Sequence, residues 1–274
     1  LGLYAAALID TLTPLSLVQV FRLLPLLTSV AAIVAFAWLA RAVLVDRLRV
    51  IAAVFAFALI PRSFTWMIMG GGVTRSFGLL FAILALYQLR TMYSTGSTRR
   101  ALLAGLLCAL TVLSHLETGW FLAFSAALGW VAWGRSRRGV EVTGLVAACT
   151  LVLTAPWWLT VVVQHGTGPL LDAGGAGGTV FSVPDPWDFT ITSLARPIST
   201  NEPFFPLIGA LGLLGAFWTV VHGKLRILPA WWAITILLDV RASATFTTLP
   251  VALLAAVGVV EVLLPVLERA AGHA

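Results

Sequence analysis

Apolar runs separated by short charged or Gly/Pro-rich breaks constrain this chain more than any other feature. A helix that crosses a bilayer needs about 20 mostly apolar residues, and shorter runs can be completed by adjoining turns or can line a cavity. Only 10% of the residues are charged, against about 25% in soluble domains. The sequence therefore predicts an all-α, polytopic transmembrane helix bundle of about nine helices, forming a single transmembrane domain over 1–274. The runs cover about 23–40, 50–68, 76–90, 101–114, 119–133, 141–160, 206–221, 227–239 and 248–265.

Basic residues fall mostly on one side of the predicted membrane. Five lie on the other side, at Arg22, Arg62, Arg75, Arg196 and Arg241. Since loops on the cytoplasmic side carry the excess of arginine and lysine, the first side is predicted to be cytoplasmic. This distribution accounts for the net charge of +6, and no basic stripe indicates a nucleic-acid partner. The cytoplasmic set is Arg41, Arg47, Arg49, Arg90, Arg99, Arg100, Arg135, Arg137, Arg138, Lys224, Arg226 and Arg269.

Polar segments collect on the predicted outer side. They are the turn "PRSFTWMIMGGGVTRSFG" at 61–78, the turn "SHLETG" at 114–119 and a long loop at about 161–206. A loop of more than about 15 residues without clear periodicity is usually functional or disordered. The Trp and Phe residues of this loop predict partial order at the membrane surface. Any chemistry is therefore expected on the outer side.

Several segments resemble polytopic C-type (GT-C) glycosyltransferases, a group that includes oligosaccharyltransferases. They are "FRLLPLLTSVAAIVAFAWLAR", "GGGVTRSFGLLFAILALYQL" and "RRALLAGLLCALTVLSHLETGWFLAFSAAL". The shared motifs are a G-x-x-x-R-x-x-G turn and, one helix pair later, an S/T-H-x-E turn. The resemblance implies an enzyme that transfers a hexosyl or pentosyl group from a polyprenyl-phosphate carrier on the extracytoplasmic face of a prokaryotic-type plasma membrane. It also implies a lipid-linked sugar donor and membrane lipids as partners.

The chain departs from this family at the catalytic acidic residue. In the family that residue, often in a D-x-D or E-x-D pattern, lies in the first outer loop, after the first transmembrane helix. Neither pattern occurs in the outer loops here, and "DPWD" at 185–188 has a different spacing. We expect the N-terminal helix and the first outer loop to precede Leu1, so no catalytic residue is assigned. The segment "STNE" at 199–202 shares one firm position with the T-I-x-E-type motif of oligosaccharyltransferases.

Arg75 is the first candidate substrate-binding residue. The glycines before it allow a tight turn and a close approach of the backbone to a ligand. Its guanidinium can bind a phosphate with two parallel hydrogen bonds, and a helix that begins near Ser76 would add N–H groups for an anion. The alternative is a tight outer turn with a snorkelling arginine. The same two interpretations apply to Arg62.

His115 and Glu117 are the next candidates, at the predicted outer end of one helix. In a continuous helix their side chains would be about 200° apart. Ionisable residues at membrane depth are costly and usually functional, which favours a role in lining a substrate site. The alternative is an interfacial corner in which Glu117 is solvated or caps the next helix.

Arg241 is the last candidate substrate-binding residue. It either neutralises Asp239 or contacts a lipid phosphate. The acidic and histidine residues of the long loop show no ligand spacing that assigns a metal site, and the need for a Mg²⁺ or Mn²⁺ ion is left open. The predicted function is a membrane glycosyltransferase. The alternatives are a secondary transporter, which needs a polar pathway at mid-bilayer, and a non-catalytic accessory membrane protein.

Overall fold

The computed structural model describes residues 1–69, 72–175 and 178–272. It is 85% helical and has no strand in these ranges, which confirms the predicted all-α fold. The helices are α1 (Gly2–Leu12), α2 (Leu17–Leu44), α3 (Arg47–Leu59), α4 (Arg62–Ile68), α5 (Val73–Thr95), α6 (Thr98–Ser114), α7 (Leu116–Trp133), α8 (Arg137–His165), α9 (Gly168–Gly175), α10 (Pro186–Ser199), α11 (Phe205–His222), α12 (Ile227–Leu238), α13 (Ser243–Phe246), α14 (Thr248–Gly258) and α15 (Leu264–Ala271). A π-helical turn, Val259–Leu263, joins α14 to α15.

Several of these helices can cross a membrane. Among the described residues, 5 are long and apolar enough: α2, α5, α8, α11 and the continuous run Ser243–Ala271. The pair α3 and α4 brings the number to 6 if it forms one span, bent by 46° at the break. All the predicted apolar runs fall in helices, including the shorter or less apolar α6, α7 and α12. The chain is therefore a multi-pass membrane protein.

The long outer segment at 161–206 contains more helix than its composition predicts. It holds the end of α8, all of α9, a 3₁₀ turn at Val180–Ser182 and α10. The start of α10 has a local cause: the Asp185 carboxylate accepts the backbone N–H groups of Trp187 and Asp188, at 3.1 and 2.9 Å. Pro186 occupies the first helical position, where its ring fixes φ near the helical value.

The chain divides into two compact units, each described by itself. Unit 1 comprises Leu1–Ala35 and Phe64–Gly177. In this unit α5 packs against α6 and α7, and α6 packs against α8. Small residues allow the last of these contacts, because a Cβ at Gly105 would lie 2.6 Å from the Cβ of Cys149. The prediction of a single transmembrane domain stays a prediction.

Unit 2 comprises Phe36–Ser63 and Gly178–Ala274. Its centre is α14, every residue of which is buried, and α14 packs against α11 and α3. The backbones of α11 and α14 approach so closely that a Cβ at Gly215 would lie 1.9 Å from the carbonyl oxygen of Leu254. Small residues at helix contacts are the usual means of close packing between membrane helices.

Candidate functional site

Arg75 lies in the first turn of α5, on the predicted outer side of unit 1. The helix begins at Val73, earlier than predicted, since the N–H of Ser76 donates to the carbonyl of Gly72 at 2.8 Å. The N–H groups without an intrahelical acceptor are therefore those of the first turn, including Arg75 itself. The Arg75 guanidinium lies over the ring of Trp66, 5.0 Å from its centroid, and a cation–π contact of this kind restricts where the charge can point.

The glycine turn before Arg75 is described only at its last residue. Gly70 and Gly71 lie outside the described residues. At Gly72 a Cβ would lie 2.1 Å from the carbonyl oxygen of Met67, so a side chain cannot be accommodated there. The turn thus needs glycine for steric reasons as well as for any approach of a ligand.

His115 separates α6 from α7 and caps α7. Its backbone is extended, with φ −156° and ψ 113°, so the helix is not continuous from His115 to Glu117. The ring Nδ1 accepts the backbone N–H of Thr118 at 3.3 Å and lies 3.0 Å from the Thr118 hydroxyl. Because Nδ1 accepts a hydrogen bond from a backbone N–H, the neutral ring carries its proton on Nε2, which is a donor.

Gly78 allows His115 to contact α5 one helical turn from Arg75. A Cβ at Gly78 would lie 3.0 Å from the Cβ of His115 and 3.2 Å from the Oγ1 of Thr118. Arg75 precedes Gly78 by three residues on nearly the same face of α5, about one helical turn or 5 Å along the axis. Two of the predicted site residues, Arg75 and His115, therefore lie at the same end of unit 1, one turn of α5 apart.

Glu117 lies in the first turn of α7, two residues after the His115 cap. Its carboxylate is partly buried, and its Oε1 atom has no solvent-accessible surface. A negative charge in the first turn of a helix is stabilised by the positive end of the helix dipole. Glu117 therefore supports the start of α7 electrostatically, while the hydrogen-bonded cap is supplied by His115.

Two substitutions at His115 test whether its side chain stabilises α7 as a helix cap. We expect His115→Ala to destabilise the protein by about 1 kcal/mol, because it removes a helix cap. His115→Asn keeps a side-chain acceptor at the cap and should leave the thermal unfolding temperature near that of the unmodified protein. If both variants melted alike, His115 would not stabilise α7 as a cap. His165→Ala, at the exposed end of α8, is the matched control.

An apolar groove of about 560 Å³ lies between α7 and α8 in unit 1. One wall is a face of small residues on α7, Gly119, Ala123, Ala126 and Ala127. Val112 precedes the His115 turn in the chain and Gly119 follows it, and both line the groove. The end of the groove at these two residues therefore adjoins the turn. The other walls and ends are formed by Leu89, Tyr93, Cys108, Leu122, Trp130, Thr143, Val146, Ala147, Thr150 and Leu151.

Arg62 forms an ion pair with Glu202 within unit 2. Its Nε donates to Glu202 Oε1 at 2.7 Å, and its Nη2 contacts the same oxygen. Both side chains are part-buried, with 29% of Arg62 and 19% of Glu202 exposed. The other oxygen of Glu202, Oε2, has no accessible surface and accepts no hydrogen bond within the described residues. The sequence suggested Arg62 as a phosphate ligand, but it did not predict this pair.

Asp239 and Arg241 differ in their surroundings. Asp239 is fully buried, and its Oδ1 accepts the N–H of Ala242 at 2.9 Å while its carbonyl accepts the N–H of Ser243 at 3.0 Å. It therefore shapes the turn between α12 and α13. Arg241 is exposed on this turn, and the choice between pairing with Asp239 and contacting a phosphate stays a prediction.

The part of the chain that the structure describes contains no cluster of metal-ligating side chains. Within 1–69, 72–175 and 178–272, no group of at least 3 His, Cys, Asp or Glu side chains converges on a position for an ion. The need for a Mg²⁺ or Mn²⁺ ion stays a hypothesis, and no chemical step is assigned to a metal.

The sequence analysis did not identify Trp66 beside Arg75 or Thr118 on the His115 ring, and it did not predict that Glu202 pairs with Arg62. The G-x-x-x-R-x-x-G spacing did contain one useful signal, because its last glycine is Gly78, the contact point of His115. The Glu202 pair had no local signal, since its partner is 140 residues away.

Solved structures with a similar fold include two of an archaeal oligosaccharyltransferase. The chain aligns over 98% of its length with AglB from Archaeoglobus fulgidus in complex with an inhibitory peptide and a dolichol-phosphate, with TM-score 0.55 and 16% identity. The apo form of the A. fulgidus oligosaccharyltransferase gives TM-score 0.57 and 15% identity, also over 98% of this chain. The chain spans 43% of the length of each neighbour. No protein-family model and no curated protein sequence matches. At this identity the likeness shows the fold, which is GT-C-like as predicted.

Proposed function

We propose that the protein is a membrane glycosyltransferase that moves a sugar from a polyprenyl-phosphate carrier to an acceptor on the extracytoplasmic face. The observation that carries the proposal is that His115 contacts α5 at Gly78, one helical turn from Arg75, and that the His115 turn adjoins the end of an apolar groove. A lipid-linked donor has two parts to bind, an anionic phosphate and an apolar chain. The fold shared with an oligosaccharyltransferase solved with a dolichol-phosphate supports this choice of donor.

Arg75 is the residue we assign to the phosphate. During transfer the acceptor attacks the anomeric carbon, the bond from that carbon to the phosphate oxygen breaks, and the polyprenyl phosphate leaves with the electron pair. The acceptor loses its proton to a general base, for which no residue is assigned here. Negative charge therefore grows on the phosphate, and an arginine fork held over Trp66 stabilises it.

The other candidates take secondary roles in this proposal. His115 Nε2–H donates a hydrogen bond to the donor sugar or phosphate, and Glu117 orients the sugar from the same turn. Arg62 already neutralises Glu202, so it contributes less to phosphate binding than Arg75 does. Arg241, exposed on the α12–α13 turn, is a second contact for a phosphate or an acceptor.

The polar groups within the helices support a transporter less than they support a transferase. A transporter needs polar groups that are available to a solute at mid-bilayer. Here the hydroxyls of Thr150, Thr154 and Thr235 bond back to carbonyls of their own helices, at 2.8 Å each. The hydrogens of these hydroxyls are therefore already donated, and the ionisable candidates lie at the helix ends.

A transfer assay in membranes tests the proposal. We expect the protein in liposomes to move radiolabel from a polyprenyl-phosphate sugar into a membrane-extract acceptor, with formation of free polyprenyl phosphate. A nucleotide sugar without the lipid is the matched control and should give no transfer. Entry of unmodified sugar into the liposomes would instead identify a transporter. The absence of both donor binding and transfer across several lipid-linked sugars would indicate an accessory protein.

A further inference from the structure

Helix α10 carries an exposed apolar stripe that the proposed transferase activity does not use. Trp187, Ile191, Leu194 and Ile198 are 78%, 62%, 37% and 43% exposed. At 3.6 residues per turn these side chains fall within about 60° of one another. An exposed stripe of four large apolar side chains on one helix indicates an interaction surface.

The rest of α10 divides into two further faces. One packs against the protein and contains Ser193 and Pro197, which are buried. Pro197 lies so close to α11 that a Cβ at Gly209 would be 2.5 Å from the Pro197 carbonyl oxygen. The other face carries the exposed Asp188, Thr192 and Ser199. The apolar stripe lies about 110° from the protein face and about 110° from the polar face.

Three faces in this arrangement match three surroundings: protein, hydrocarbon and water. A helix that lies in a membrane interface has a polar face towards water and an apolar face inserted about 5–10 Å into the lipid boundary. A tryptophan in the stripe is also typical of this depth, because the indole ring has an apolar body and a polar N–H.

The chain continues from α10 into a helix that also has an exposed apolar side. After α10 the chain runs through the 58% exposed Phe204 into α11, which is long and apolar enough to cross a membrane. The exposed Leu207, Leu214 and Phe217 of α11 lie on one side of that helix. In a membrane-spanning helix, an exposed apolar side of this kind contacts the lipid hydrocarbon.

We propose that α10 lies in the plane of the outer-leaflet interface, with Trp187, Ile191, Leu194 and Ile198 inserted into the lipid. Within α10 the charges of Asp188 and Arg196 have opposite signs, so apolar insertion drives this contact and lipid charge does not. Because Glu202 follows the end of α10 by only three residues, the helix holds the Arg62–Glu202 pair near the level of the lipid phosphates. The inference is independent of the transferase activity.

Spin labels on the two exposed faces test this orientation. Single cysteines are placed at Ile191 and Ile198 on the stripe, and at Thr192 and Ser199 on the polar face, with Cys108 and Cys149 replaced by alanine. The protein is reconstituted in phosphatidylcholine vesicles. Collisions of each label with oxygen, which partitions into lipid, and with a water-soluble nickel chelate are measured by electron paramagnetic resonance.

We expect the oxygen-to-nickel collision ratio to be several-fold higher at 191 and 198 than at 192 and 199. The same values should appear in vesicles that contain phosphatidylglycerol, because lipid charge is not the driving force. Equal access of nickel to all four positions would overturn the proposal by showing an aqueous face. Low access of both reagents at 191 and 198 would also overturn it, because the stripe would then be covered by protein.

Discussion

Replacing Arg75 with alanine is expected to lower sugar transfer by roughly 10²–10³-fold, the usual effect of removing one group that stabilises charge in a transition state. Arg75 is the candidate arginine one turn of α5 from the contact between Gly78 and His115, and its position over Trp66 orients it without neutralising it. Arg62, by contrast, is already paired with a carboxylate. The measurement is the initial rate of radiolabel transfer from a polyprenyl-phosphate sugar in liposomes.

Two further variants distinguish a phosphate ligand from a merely basic residue. Arg75→Lys keeps the charge but loses the planar fork, so we expect it to recover only part of the activity. Arg22→Ala removes an exposed arginine that is predicted to lie on the same side of the membrane and should leave the rate unchanged. If Arg75→Ala bound the donor and transferred sugar at the normal rate, the assigned role would be wrong.

A single methyl group at Gly215 is expected to cause the largest loss of stability in unit 2. The Cβ of Gly215→Ala would lie 1.9 Å from the Leu254 carbonyl oxygen and 2.9 Å from the backbone nitrogen of Gly258. Both obstacles are backbone atoms of the buried α14, so they cannot rotate away, and α11 must move. Overpacking costs typically about 1–3 kcal/mol and occasionally more, and we expect a value at the upper end of that range.

Gly144→Ala is the matched control for this prediction. Gly144 lies inside α8, where a Cβ would meet nothing within 4 Å. Both changes replace glycine with alanine, which favours a helix interior over glycine by about 1 kcal/mol. The two variants therefore differ only in the steric contact of the added methyl group. Thermal unfolding of both variants, followed by helical circular dichroism in one detergent, measures the difference. Equal unfolding temperatures would show that α11 and α14 do not pack as closely as described.

The sequence alone determined where the helices of this fold form and that polar residues collect at their predicted outer ends. Hydropathy is a local property, so apolar runs became helices wherever charged or Gly/Pro-rich breaks divided them. The start of α10 was also readable, since Asp185 followed by Pro186 is a local cap signal, and the stripe from Trp187 to Ile198 has helical spacing. The lack of clear periodicity across 161–206 as a whole obscured that signal.

The end of α6 was predicted at 114 and lies at Ser114, but the residue that caps the next helix was not predicted. Histidine is not among the preferred cap residues, which are Ser, Thr, Asp and Asn. The sequence therefore predicted the turn at 114–119 but not the role of His115 as the cap of α7, although the cap bond from the Thr118 N–H spans only three residues. A continuous helix would have directed His115 and Glu117 to different sides, and the break is what brings His115 against Gly78.

Only the tertiary structure decided which side chains meet. The pairing of Arg62 with Glu202 joins residues 140 positions apart, and no local pattern encodes a partner at that distance. The same holds for the contact of His115 with Gly78 and for the groove between α7 and α8. Helix formation depends on neighbours along the chain, whereas ion pairs, grooves and close glycine contacts depend on how the completed helices pack.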